Sequence, residues 1–431
     1  MAYQAVSQRE QTTPSSLSSL PHYDVVIIGA GPYGLSMAAH LAHHPLKVAM
    51  FGKPMGFWRY SVHPEITLRS HWSATALSDP ERNYEFSHYF ATHDQQETTA
   101  GSVSQPLFIR YGLWFQQQLK LETDETQIVG VERSPEGFIV TLEDHRRLLS
   151  TIVIIANGLS AYSYIPPEYS SLPPDLMVHS SQQTDYQQYA QKEIAIIGGG
   201  PSAVETAVII QKSGAKVHLI TRRPIRWSPP VEEDTSNIPL PGTPLSERTL
   251  WQRIRYPDAR LSPGWFNWWI ENHPYMFHSL PRKLKDKLLK EKGGYRPVNN
   301  YNLKVSLANK AAIHESCTVR EVSVIEEGKR VQLTLSDGTV VHCDHILLGT
   351  GYRVDLQKIS FLAPDIIAQI KTYQDSPILT RHFESTIPGL YFTGLASVIS
   401  FGPLFRFVTG TDATARNIIP AIVRKVSKAK K

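Results

Sequence analysis

YDVVIIGAGPYGLSMAAHLA, residues 23–42, decides the fold. Residues 25–28 form an unbroken branched apolar run, which suits a strand covered on both faces. The run enters Gly29, Gly31 and Gly34, and apolar residues then return at helical spacing. A strand, a glycine turn and a helix N-terminus together aim several backbone N–H groups and the positive end of a helix dipole at one point, where a pyrophosphate fits. The three glycines have separate tasks there: a tight turn, close approach of backbone to phosphate, and close packing of helix on strand. Pro32 and Tyr33 open the helix, and proline belongs in its first turn.

The pattern recurs at residues 192–227, KEIAIIGGGPSAVETAVIIQKSGAKVHLITRRPIRW. A strand over residues 194–197 enters Gly198 and Gly200. Pro201 and Ser202 open a helix that runs to about residue 213, Ala203 stands in the third glycine position, and Gly214 caps the end. The repetition extends further. TQIVGVERSPEGFIVTLEDHRRLLSTIVIIANG (126–158) and CTVREVSVIEEGKRVQLTLSDGTVVHCDHILLGTG (317–351) share one plan, ending in an apolar strand and a glycine loop. The expectation is an α/β protein with two Rossmann-like, three-layer ββα dinucleotide-binding domains carrying β-meander additions.

The two units differ where a ribose would lie. An acidic residue usually follows the second strand of such a unit and holds the ribose 2′-hydroxyl. The first unit has FGKPM (51–55), placing Gly52 and Lys53 there, so one ribose contact is missing while the pyrophosphate turn remains. Lys53 reads either as a contact to the adenosine end or as a solvated lysine. The second unit has Arg222 and Arg223, whose guanidinium groups favour a 2′-phosphate and hence NADPH over NADH. Two solvated arginines at a strand end are the alternative.

Composition bounds the rest. The chain has 431 residues, 41% hydrophobic and 19% charged, which is ordinary for a folded protein with two or three domains. The net charge of +5 forms no stripe interleaved with aromatics, so nucleic acid is not an expected partner. Cys317 and Cys343 are the only cysteines, which excludes a CxxC redox pair and a disulfide framework. Residues 1–20, rich in Ser, Gln and Thr, read as a flexible leader, and no apolar run spans a membrane, so a cytoplasmic location is expected. HCDH (342–345) looks like a ligand cluster, but strand alternation turns His342 and His345 apart, and no metal is expected.

Beyond the fingerprints, GFWRY (56–60), SDP (78–80), HSSQQTDYQQYAQKEIAIIGGGPSAVE (179–205), DHILLGTGYRVDL (344–356) and GLYFTGLASVISFGPLFRFVTGTDATA (389–415) line up with known motifs. In these segments the chain resembles the two-dinucleotide-binding-domain flavoproteins. Within them it resembles the flavin-containing and lysine or ornithine N-hydroxylating monooxygenases and bacterial FAD-dependent urate hydroxylase-like proteins. Departures include Pro173, Pro174 and Asp175 where a Phe-x-Gly would precede His179, and Gly394-Leu395 where disulfide reductases carry Gly-Asp. The resemblance implies a discontinuous FAD domain, residues 21–165 plus 345–431, enclosing an NADPH domain at 166–344. It also implies FAD contacts from Gly29, Gly31, Pro32, Tyr33, Gly34, Lys53, Trp58, Arg59, Ala156, Gly158, Gly394 and Leu395. NADPH contacts or the domain link fall to Gly198, Gly200, Pro201, Ser202, Ala203, Arg222, Arg223, Gly349, Thr350, Gly351 and Tyr352.

The implied activity is an FAD-dependent, NADPH-consuming monooxygenase that uses dioxygen, through a flavin C4a-hydroperoxide, to hydroxylate a small nucleophilic metabolite. No catalytic acid or base is demanded. Trp58, Arg59, Ser70 and His71 are the flavin-proximal candidates, with core packing or loop hydrogen bonding as the plain alternatives for Trp58 and His71. Two other functions stay open: an NAD(P)H oxidase or flavin reductase without oxygen insertion, and a non-catalytic nucleotide-binding partner protein. A helical, aromatic-rich insertion occupies about 226–315. Within it Trp265, Trp268 and Trp269 share a helical face, expected to pack into the core or to wall the substrate. The insertion is expected to set substrate identity.

Overall fold

A computed structural model describes residues 19–93, 98–99, 102–227, 239, 243, 245–291 and 301–430. Most of the expected leader, and residues 228–238 of the turn-rich start of the insertion, lie outside the described residues.

The first sheet runs Val48–Phe51, His22–Ile28, Arg147–Ile155, Gly137–Leu142, Ile128–Ser134. Arg147–Ile155 belongs to two arrangements. Its first residues pair antiparallel with the meander strand Gly137–Leu142, and the rest lies parallel between His22–Ile28 and Leu390–Phe392. Residues 25–27 and 152–154 are fully buried, as expected of strands sandwiched between helical layers.

The second sheet is parallel throughout: Ala311–Glu315, Lys216–Thr221, Glu193–Ile197, His345–Leu348, Met177–His179. Its meander forms a separate antiparallel sheet, Val319–Ile325, Arg330–Leu335 and Val340–Cys343. Asp344 makes the break. Its N–H donates to the Glu193 carbonyl at 2.7 Å, its carboxylate accepts from the Glu193 N–H at 2.7 Å, and Arg330 lies 2.9 Å from the other oxygen. His345–Leu348 therefore belongs to the second sheet, although it begins at residue 345, where the crossing back is expected. An apolar strand before a glycine loop fits either sheet by sequence; only the pairing with Glu193–Ile197 assigns it.

The insertion contributes Leu250–Arg255, Trp265–Asn272, Pro274–Ser279, Arg282–Glu291 and Tyr301–Leu307. Trp265–Asn272 is helical, but the face holding Trp265 is not the buried one. Trp265 is 58% exposed, whereas Ile270 is buried and Phe266 and Trp269 pack on the main core. Of the three tryptophans expected to share a face, Trp269 packs against the core while Trp265 is exposed.

The closing helix, Gly410–Ala429, packs along the first fingerprint helix, Pro32–Leu41. A hydrogen-bonded hub joins them. Ser78 donates its N–H to Ser36 Oγ (3.1 Å) and its hydroxyl to Asp412 (3.1 Å), and His40 Nε2 lies 2.9 Å from the same hydroxyl. Asp79 accepts from the N–H groups of Asn83 and Tyr84, fixing the turn after it. The SDP segment thus serves as a joint between the two ends of the fold.

Candidate functional site

At the first turn, Gly29 has φ +114°, and a Cβ there would lie 2.2 Å from the Ala156 carbonyl oxygen. A Cβ on Gly34 would lie 1.7 Å from the Gly29 oxygen, so both are glycine by contact. Gly31 is different: its Cβ would meet nothing within 4 Å. Its backbone faces a cavity of about 390 Å³ lined by Gly29, Gly31, Pro32, Tyr33, Gly52, Lys53, Trp58, Ala156, Gly158, Gly394 and Leu395 among others. With residues 405–408 the lining draws on five chain segments, and the helix N-terminus opens onto it.

Tyr33 fixes the far wall. Its hydroxyl lies 3.0 Å from the Phe405 carbonyl oxygen and 2.9 Å from that of Phe407. Asn157 also lines the cavity and leaves its buried Nδ2 with no partner among the described residues. An open cradle over one glycine plus an orphaned amide is what a dinucleotide-sized guest would complete.

The absent acid has a backbone cause. Gly52 has φ +127°, a region L side chains rarely adopt, and its N–H donates to the Asp124 carbonyl at 2.8 Å. Lys53 lines the cavity, with its ammonium 5.2 Å from the Tyr60 ring centre. Trp58 is half-buried, edge-on to Phe108 at 4.8 Å. Arg59 departs from expectation. It stacks on Tyr60 at 5.0 Å, bonds the Pro54 carbonyl, and does not appear in the walls of the described cavities.

A second cavity of about 330 Å³ lies against the first and reaches the second fingerprint. Its walls include Phe57, Trp58, Arg69, Ser70, Leu159, Ser181, Pro201, Ser202, Glu205 and Tyr352. Ser70 faces it; His71 does not, and instead caps the turn at residues 72–74, with Nδ1 2.8 Å from Ser73 Oγ. Burial lowers the His71 pKa, so the ring is neutral near pH 7.

Gly198 repeats the first turn: φ is +144°, and a Cβ would lie 2.2 Å from the Gly349 oxygen. Gly200 caps the helix Pro201–Lys212. Here the methyl sits on the helix, as Ala203, and the facing loop residue is Gly349, whose Cβ would come 2.5 Å from the Ala203 Cβ. In the first unit the glycine is on the helix (Gly34) and the loop carries alanine (Ala156). Thr350 donates its hydroxyl to the Tyr164 carbonyl, and the Gly351 carbonyl receives His179 Nε2 at 3.0 Å, tying the link to the segment before it. Arg222 and Arg223 follow Lys216–Thr221 and are both exposed.

Three features escaped the sequence reading. Arg69 and Glu205 form a two-pronged ion pair, 2.8 and 3.1 Å, between the strand Thr67–His71 and the second fingerprint helix. Burial raises the Glu205 pKa and Arg69 opposes it. Asn157 and Arg406 are the others, and no local pattern marks any of the three. Cys317 and Cys343 are free and buried, and burial pushes the Cys343 thiol up to about 12, so it is no thiolate near neutrality. His342 is exposed beside Gln332 and His345 is buried on the Asp175 carbonyl, so they face opposite ways. Among the described residues no three His, Cys, Asp or Glu side chains gather as a metal site, and no helix is long and apolar enough to cross a membrane.

Known proteins resemble the chain in the same parts. A ferredoxin–NADP reductase of Cupriavidus metallidurans is 26% identical over 226 residues, 49% of this chain and 55% of the reductase. The FAD-dependent urate hydroxylase of Xanthomonas campestris pv. campestris is 28% identical over 218 residues, 47% of this chain and 45% of the hydroxylase. The chain thus spans about half the length of these relatives. Among solved structures, an ornithine N-hydroxylase of Kutzneria sp. 744 shares the fold across 94% of this chain and all of that one, at 16% identity and a TM-score of 0.71. Residues 23–238, which hold both glycine turns, match the pyridine nucleotide-disulphide oxidoreductase model. The chain belongs to the pyridine nucleotide-disulphide oxidoreductase family.

Proposed function

We propose that the protein is an FAD-dependent, NADPH-consuming monooxygenase acting on a small nucleophilic metabolite. One observation carries the reading: the two cradles share a wall. Phe57, Trp58, Leu159, Phe407 and Val408 line both cavities, so a ring in the first and a ring entering from the second meet over a water-poor surface. FAD, when bound, supplies hydride acceptance and dioxygen activation. The first turn, with Gly31 open above the helix N-terminus, holds its pyrophosphate, Gly158 and Asn157 border the site, and Gly394-Leu395 closes it. Lys53 with Tyr60 takes the place of the missing ribose acid. Gly198, Gly200, Pro201, Ser202 and Ala203 hold the second pyrophosphate, and Arg222 with Arg223 bind a ribose 2′-phosphate. The Arg69–Glu205 pair holds the second helix against the strand beside the shared wall, which sets the approach of nicotinamide to flavin.

Purified protein given NADPH and candidate amines or purines is expected to couple oxygen uptake to product with little peroxide. The double substitution Arg222→Ala/Arg223→Ala is expected to raise the NADPH requirement about tenfold or more, the worth of a charge-assisted contact, and to leave the NADH requirement nearly unchanged. Equal effects on both would remove the cofactor assignment. The resemblance to ferredoxin–NADP reductases supports a second reading, reductase turnover without oxygen insertion. In that case peroxide matches NADPH consumed, or electrons pass to an added acceptor.

A further inference from the structure

Arg406 stands where three cavities meet. It lines the two cradles and also a third space of about 580 Å³, bounded by the insertion helix Arg282–Glu291 and by Val398 and Ile399. Leu395 joins the first and third spaces, and Tyr352 the second and third. The other arginines in these walls have partners: Arg69 pairs with Glu205, and Arg353 lies over the Tyr164 ring at 4.4 Å. Arg406 has no ion pair, hydrogen bond or ring partner among the described residues. Its surface opens into the cavities, yet the surrounding protein is dense enough that desolvation lowers its pKa.

Its position is fixed. The flanking Phe405 and Phe407 carbonyls meet the Tyr33 hydroxyl, Phe405 is fully buried, and a Cβ at Gly410 would lie 2.4 Å from the Tyr33 oxygen. Charge in the third space leans one way. Asp286 is matched by Arg282 at 2.6 Å and by the Tyr373 hydroxyl at 2.8 Å, which leaves Lys290, Arg353 and Arg406 against Asp375. Leu289, Val354, Leu395, Val398 and Ile399 supply apolar wall beside them.

We infer that the substrate is a small organic carboxylate with an apolar body, that it enters through the third cavity, and that Arg406 is the specificity-determining residue which grips its carboxylate beside the flavin site. A guanidinium with all donors free, carried on a pinned backbone segment and open to three cavities, suits a planar oxyanion and discriminates against a neutral analogue that cannot match its charge. The inference rests on the proposed flavoenzyme reading.

The test uses FAD-loaded full-length protein, with benzoate and benzamide as isosteric probes measured by titration calorimetry. Benzoate is expected to bind at least about tenfold more tightly than benzamide, the scale of one charge-assisted contact. Arg406→Gln should abolish that preference while FAD content, read from the visible spectrum, stays at the wild-type level. Arg406→Lys should keep part of it. Equal binding of the two probes, binding of neither, or loss of FAD from the Arg406→Gln protein would each overturn the inference, the last by making Arg406 a cofactor contact. FAD content and bleaching by NADPH are recorded before either probe is added. A protein without flavin fails the proposed function and takes this inference with it, whereas a flavin-loaded, reducible protein indifferent to benzoate fails this inference alone.

Discussion

Gly52 is where residue chemistry and backbone part company. Its sequence position suggests a lost carboxylate, a gap that reintroducing an acid would fill. The φ of +127° says otherwise: any side chain there is strained, and its Cβ would press within 3.2 Å of the Ala30 nitrogen. Such strain costs about 1–3 kcal/mol. Gly52→Glu is therefore expected to lower the thermal midpoint without tightening FAD, checked by differential scanning fluorimetry and by FAD titration of the stripped protein; tighter FAD at unchanged stability would show that the turn can relax. The fingerprint glycines were legible as a local spacing between strand and helix, even though Gly29 and Gly198 are pressed by the distant carbonyls of Ala156 and Gly349. Arg406 was not, because its three cavities are assembled from residues as far apart as Gly29 and Arg406 itself. The short helix Gly56–Tyr60 turns Arg59 toward Tyr60 while Trp58 faces the cavity, an orientation that sequence spacing alone does not give.

At the scale of elements, the two glycine turns distribute glycine and alanine in opposite ways between helix and facing loop. The first puts glycine on the helix and alanine on the loop; the second puts Ala203 on the helix and Gly349 on the loop. Gly349→Ala alone forces two methyl groups to 2.5 Å and should cost about 1–3 kcal/mol. Ala203→Gly alone should cost about 1 kcal/mol through helix propensity. Combined, they should recover part of the loss, with a coupling of about 1–2 kcal/mol in a urea-unfolding cycle; strict additivity would mean the loop moves away freely. The sequence revealed Ala203 as a departure from the glycine pattern but not its counterpart, because the partner lies across the sheet. Strand membership failed at His345–Leu348 on the same ground: local pattern gives a strand, and pairing decides its sheet. The helix Trp265–Asn272 repeats the lesson, since spacing gives an apolar face and only the neighbour chooses which flank is covered.

For the whole molecule, the His40–Ser78–Asp412 hub joins the first helix to the last. Burial lowers the His40 pKa to about 4, against the attraction of Asp412 and Asp79 for its charged form. Since the unfolded chain takes up a proton near pH 6.5 that the folded one declines, this contribution is whole above pH 6.5 and is lost as pH falls toward 4. The full difference is on the order of 3 kcal/mol, with about 2 kcal/mol gone by pH 5. His40→Gln is expected to flatten that part of the stability profile, read as the difference from wild type in urea unfolding at pH 7 and pH 5. Identical slopes would mean the hub opens to admit the proton.

The order of the chain has a consequence for synthesis. The strand Leu390–Phe392 and the two carbonyls that meet the Tyr33 hydroxyl come after residue 389 in the chain, whereas the parallel sheet around Glu193–Ile197 is complete once His345–Leu348 has been made. A nascent polypeptide leaving the ribosome can thus finish its second nucleotide cradle while the first, though begun earlier, still waits for its closing wall.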